Sequence, residues 1–120
     1  MAEFSLKSTS MTPAVAISRL SGAMTPADLD YLENEFGKLK DAGALGLILE
    51  ISALEGVTSA GLGAIVEMSK TLQEKGGRLV VAADGGGFAR LAAMLGLQDR
   101  LTLAKTLDQA KKEMSGIKGV

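Results

Sequence analysis

The run Leu45-Gly46-Leu47-Ile48-Leu49-Glu50-Ile51 is almost continuously apolar, as expected of a strand buried on both faces. Ser52-Ala53-Leu54-Glu55-Gly56-Val57-Thr58-Ser59 follows, a polar connection ending in two hydroxyl residues. From about Ala60 to Lys75 the spacing changes: Leu62, Ile65, Val66, Ser69 and Leu72 recur at helical period, and Gly76-Gly77 closes the series. Arg78-Leu79-Val80-Val81-Ala82-Ala83 is then a second buried strand. A strand, a crossover helix and another strand buried on both faces predict parallel pairing.

The pattern extends in both directions. Upstream, Phe4 and Leu6 alternate with polar neighbours, Met11-Thr12-Pro13 reads as a turn, and Val15 to Leu20 is a second strand, so the chain opens on a hairpin. Thr25-Pro26-Ala27-Asp28 is a helix start: a hydroxyl cap, proline at the first helical position, and an acid at the positive end of the helix. Leu29, Leu32, Phe36 and Leu39 continue that helix to a stop at Gly43, with Glu33, Glu35, Lys38 and Lys40 on its solvated face. Downstream, Phe88, Leu91, Ala92 and Leu95 mark a third helix closed by Gly96; a short strand spans Leu101 to Ala104, and Thr106 opens a final helix. The expected fold is a single α/β domain, with a mixed, mostly parallel sheet of about five strands and four helices in the order β-β-α-β-α-β-α-β-α.

Composition removes several functions. Thirteen basic residues against fourteen acidic ones give a net charge of −1, with none of the basic excess that phosphate neutralisation demands, so no nucleic-acid partner is expected. Without cysteine or histidine there is no disulfide framework, no thiolate–imidazole zinc site, and no Ser-His-Asp or Cys-His machinery. No run approaches the ~20 apolar residues that span a bilayer, and Met1-Ala2-Glu3-Phe4-Ser5 lacks a signal-peptide pattern, so a cytoplasmic protein without membrane insertion is expected. No catalytic residue, metal or cofactor is assigned.

The turn Thr58-Ser59-Ala60-Gly61-Leu62 carries the functional expectation. Thr58 or Ser59 caps the helix, since hydroxyls accept from its free N–H groups. The same end offers unpaired N–H groups and partial positive charge, where a phosphate on Ser59 would be tolerated while placing roughly −1.5 to −2 charges on a small surface. The two readings are compatible. Met24, beside this turn, is expected as an exposed apolar contact, whereas Met68 and Met94 are read as core filler. Asp84-Gly85-Gly86-Gly87-Phe88 could cradle a phosphate, but it lacks the lysine and hydroxyl ending of a P-loop and reads as a turn.

Leu47-Ile48-Leu49-Glu50-Ile51 leading into Val57-Thr58-Ser59-Ala60-Gly61-Leu62-Gly63 resembles the STAS domain of bacterial anti-sigma factor antagonists. So do Lys75-Gly76-Gly77-Arg78-Leu79-Val80-Val81 and Leu91-Ala92-Ala93-Met94-Leu95-Gly96-Leu97, in the same order and at matching spacings. The resemblance implies a STAS fold and a role as a phosphorylation substrate in place of an enzyme. The family's phosphorylated serine stands two residues before the glycine, which is Ser59 here, with Thr58 as the alternative hydroxyl. The implied partners are an anti-sigma factor that is also a GHKL-type serine kinase, bound when the antagonist is unphosphorylated, and a phosphatase that reverses the modification. Gly22, Met24, Thr25, Thr58, Ser59, Ala60, Gly61 and Leu62 are the implied partner-binding residues.

Many members read Gly-Glu-Leu-Asp where this chain has Gly22-Ala23-Met24-Thr25, a departure that favours a second reading: an unphosphorylated STAS interaction module within a larger signalling or transport assembly. A third reading is nucleotide or lipid binding at Gly85–Gly87.

Overall fold

A computed structural model describes residues 3–83, Met94, Gly96 and residues 101–117. The chain forms β1 (Ser5–Thr12), β2 (Val15–Ala23), a 3-10 turn (Pro26–Asp28) running into α1 (Leu29–Asp41), β3 (Gly46–Gly56), α2 (Ser59–Glu74), β4 (Arg78–Ala82), β5 (Thr102–Ala104) and α3 (Leu107–Glu113). The five strands lie side by side in chain order. β1 pairs antiparallel with β2, and the pairs β2–β3, β3–β4 and β4–β5 are parallel. This is the expected mixed STAS-type sheet. Three α-helices fall within the described residues; the further helix expected over Phe88 to Gly96 lies almost wholly outside them.

Chain-order strands have a direct physical consequence. Each parallel connection steps the same way across the sheet, and right-handed crossovers then deliver their helices to one face. Accordingly, Leu32 and Phe36 of α1 and Leu62, Ile65, Met68 and Leu72 of α2 share one core with Leu47, Leu49, Leu79 and Val81. The opposite face, with Ile48, Val80, Val15 and Ile17, is closed by Ala110, Met114 and Ile117 from α3 and the residues after it. Leu47, Ile48 and Leu49 are each 0% exposed, which is why β3 reads as an apolar run without alternation.

Several elements outrun their sequence boundaries. β3 continues five residues past Ile51 to Gly56 because β2 also continues, to Ala23, and the two stay paired through register shifts at Arg19/Ser21 and Gly22/Ala23. Apolar patterning ends where the helices stop covering the strands, so it underestimates both lengths. Val66 is half-buried at the margin of the α2 stripe, and Ser69 is buried with its hydroxyl unpartnered among the described residues. Met94 is 78% exposed, against its expected role as filler. In the sequence it is one position off the expected Phe88, Leu91 and Leu95 spacing, and successive residues of a helix point about 100° apart.

β1 is an edge strand. Leu6 is buried and Tyr31 of α1 reaches over it, its hydroxyl donating to the Leu6 carbonyl at 3.4 Å while its ring meets Phe4 edge-on at 6.4 Å between centroids. Beyond Leu6, Lys7, Ser8, Thr9 and Ser10 are all exposed. Ser8 Oγ lies 2.7 Å from Ser18 Oγ, satisfying a hydroxyl that is otherwise enclosed.

The end of α2 is fixed by close backbone contact. Gly76 adopts φ +83°, Gly77 N–H donates to the Leu72 carbonyl at 2.8 Å, and Arg78 N–H donates to the Leu45 carbonyl at 2.9 Å. A side chain on Gly77 would collide with the Leu45 carbonyl, which cannot retreat without breaking the start of β3. Gly77→Ala is therefore expected to lower the unfolding free energy by about 2–4 kcal/mol, read as a lower urea midpoint at unchanged slope.

Candidate functional site

The first turn of α2 and the end of β2 meet beside each other at the carboxyl end of the parallel strands. Thr58 has extended backbone (φ −84°, ψ 159°), and its Oγ1 accepts from Gly61 N–H at 3.0 Å. Thr58 is therefore the N-cap, which decides between the two hydroxyls that the sequence left open. Ser59 is the first residue of the helix; it is exposed, and no hydrogen bond holds its hydroxyl among the described residues. One hydroxyl is committed to structure and its neighbour is free.

Met24 links the two segments from below. Its N–H donates to the Gly56 carbonyl at 3.0 Å, and the Thr58 hydroxyl points at its sulfur from 4.0 Å. The space it fills is the one that Gly61 leaves by having no side chain; a Cβ on Gly61 would strike the Met24 sulfur. Met24 is thus 6% exposed, a correction to the expected exposed contact. A methionine next to a small-residue turn inserts beneath it when the turn itself supplies the cavity.

The remaining expected residues divide the same way. Gly22, at φ +77°, is buried, and so are Gly61 and Leu62, the last of these at 0% exposure in the α1/α2 core. These residues shape the site from inside. Thr25, Ser59 and Ala60 are exposed and Thr58 is half-buried, so the outer surface is built of short, mostly hydroxyl-bearing side chains.

Asp28 is a contributor that the sequence reading placed only as a helix-dipole acid. Its Oδ2 accepts from the Thr25 N–H at 2.8 Å and from the Thr25 hydroxyl at 3.0 Å. A carboxylate thus stands next to Thr25 even though Gly22-Ala23-Met24-Thr25 contains no acid. The Thr-x-x-Asp spacing, one methylene short of a capping box, was the available signal.

Chemically, this surface suits docking or modification. The N–H groups that open α2 and the partial positive charge there favour an anion over Ser59. Among the described residues, no cluster of three or more His, Cys, Asp or Glu side chains could hold a metal ion. No described helix is long and apolar enough to cross a membrane. Gly85–Gly87 lies outside the described residues, as do most of Leu91 to Leu97.

The comparisons with known proteins agree with this architecture. An anti-sigma factor antagonist from Mycobacterium paratuberculosis superposes with a TM-score of 0.83 at 23% identity, covering 93% of this chain and 94% of that one. The phosphorylated form of the Bacillus cell fate determinant SpoIIAA superposes at 0.72 with 15% identity, covering 91% and 98%. The anti-sigma factor antagonist SpoIIAA in its unphosphorylated form gives 0.74 at 16% identity, covering 94% and 100%. At these identities the likeness is one of fold. No curated protein sequence matches the chain. The sequence model of the STAS domain matches residues 7–110, from β1 into α3 and through the whole Thr58–Leu62 turn, and the chain belongs to the STAS domain family.

Proposed function

We propose that this protein is an anti-sigma factor antagonist working by partner switching. In its unphosphorylated form it binds an anti-sigma factor that is also a GHKL-type serine kinase, in the cytoplasm, and so frees a sigma factor for transcription. The kinase transfers the γ-phosphoryl group of ATP to Ser59 Oγ; ADP leaves, the hydroxyl proton passes to a base on the kinase, and the complex separates. A phosphatase hydrolyses the phosphoserine and resets the cycle. The protein itself is the substrate and catalyses nothing.

The observation that carries this reading is the division between neighbouring hydroxyls. Thr58 caps α2, leaving Ser59 exposed and unbonded, so Ser59 can be modified without removing a contact that the fold uses. SpoIIAA, a protein of the same fold, is described in both phosphorylated and unphosphorylated forms, which supports a modification cycle. A doubly charged group on Ser59, an exposed residue in the first turn of α2, would sit over the positive end of that helix, altering the surface far more than the interior.

Two expected outcomes test the proposal. In stability, Thr58→Ala should cost about 1 kcal/mol through the lost cap, whereas Ser59→Ala should stay within about 0.5 kcal/mol of the parent in urea unfolding. In binding, a GHKL-type anti-sigma kinase that captures this protein should, with ATP, add one phosphoryl group by intact mass to the parent and none to Ser59→Ala. Ser59→Asp should bind that kinase at least about tenfold more weakly than the parent, the scale of one repulsive charge brought into an interface. Ser59→Asp and Ser59→Ala both binding like the parent would remove Ser59 as the switch. Tight binding with no phosphorylated form under any condition would favour the unphosphorylated interaction module.

A further inference from the structure

Between α1 and α2 runs an open cleft of about 250 Å³ lined by Phe36 and Met68, of which only 5% and 6% stays exposed, and by Glu33, Gly37, Lys40 and Glu67. We propose that this cleft seats an amphipathic helix of a partner protein, with a leucine- or methionine-type side chain over Phe36 and Met68 and a lysine or arginine between Glu33 and Glu67. It extends the docking surface away from the Ser59 turn and rests on the proposed function only for the identity of the partner.

Three independent features of the cleft support a basic helix as its occupant. The first is charge. The Pro26–Asp28 turn, α1 and α2 together carry seven acidic residues against three lysines, although the whole chain is nearly neutral. Glu33 and Glu67 make no ion pair among the described residues, and the Glu67 carboxylate holds no hydrogen bond there, the Thr71 hydroxyl donating to its backbone carbonyl instead. Lys40, on the same wall, lies two turns beyond Glu33, about 10 Å along the helix, far enough to leave the Glu33 carboxylate open to an incoming cation.

The second feature is the pair of glycines inside helices. Gly37 in α1 and Gly63 in α2 have ordinary φ values, and a Cβ at either position would meet nothing within 4 Å. Glycine weakens a helix interior relative to alanine, so each position gives up stability that the fold never asks for. Gly37 lines the cleft, and Gly63 stands one turn before Glu67 and one turn after Ser59. At Gly37 the missing side chain permits close approach of another backbone to the cleft, while Gly63 lies outside the cleft's lining. The third feature is the nature of the walls. Both are helices whose backbone groups are internally bonded, so the cleft offers no strand edge, and recognition must run through side chains laid along it, as in helix-in-groove docking.

The test uses the full ¹⁵N-labelled protein and a synthetic helical peptide about five turns long, with leucines at i, i+3, i+4 and i+7 spacing and lysines elsewhere. Its control replaces every lysine with glutamate. The lysine peptide should shift the amides of Glu33 to Lys40 and Ala64 to Thr71 saturably, and the glutamate peptide should not. Glu33→Gln combined with Glu67→Gln should weaken that binding about tenfold, the loss expected for two exposed ion pairs. Gly37→Gln fills the cleft from a position with open space around it; it should keep the parent's spectrum elsewhere, melt no lower, and abolish the response. Shifts spread over the whole surface, a glutamate peptide that works equally well, or no saturable response would overturn the proposal. Shifts at the same amides on concentrating the protein alone would also overturn it, placing a second copy there. None of these measurements involves the kinase or Ser59, so the cleft and the switch can fail separately.

Discussion

Burial of Leu47, Ile48 and Leu49 from both sides is the constraint on which the remaining structure depends. A strand with no solvent face must be covered twice, and strands placed in chain order deliver their crossover helices to one side only. The second side therefore falls to whatever follows the last strand. That is why α3, only seven residues long, carries Ala110 with Met114 and Ile117 just beyond it into a core of their own. It also leaves α1 and α2 side by side on the first face, with their N-termini at the end of the sheet where β3 hands the chain over to Thr58.

Around that handover the chain separates structural from available chemistry residue by residue. Thr58 and Ser59 carry similar hydroxyls, yet a single step along the backbone puts one in the extended conformation of a cap and the other on the helix surface. Met24 and Gly61 are complementary in shape, sulfur filling the place of an absent side chain, and this locks the end of β2 to the start of α2. The surface that results stays small because its supports lie beneath it. A partner meeting it would find three or four side chains at the turn and would need further contacts to bind firmly, since specific interfaces usually bury about 800 Å² per side.

Much of this was legible in the sequence, for local reasons. The two buried strands, the stops at Gly43 and Gly76-Gly77, the cap at Thr106 and a hydroxyl cap at Thr58 or Ser59 each rest on interactions within a few residues, so short-range patterns announce them, and only the choice of Thr58 needed the structure. The failures share the opposite character. Met24 lies inside because of Gly61, thirty-seven positions away, and no periodicity around Met24 signals that pairing. β3 runs on to Gly56 because β2 runs on beside it. The Thr25–Asp28 contact had a sequence signature, but one that was read as a charge effect when it is a pair of hydrogen bonds. The α1–α2 cleft had none, since it exists only once two helices lie next to each other.

The edge strand β1 adds a consequence about abundance. A strand with one side unpaired can take up a further strand from a second copy, and such meetings grow more frequent as the protein is concentrated. Lys7, Ser8, Thr9 and Ser10 turn polar side chains outward on both faces of that edge, and a charged, hydroxylated strand is a poor template for further pairing. A lysine, a threonine and two serines there favour a concentrated solution over a growing sheet.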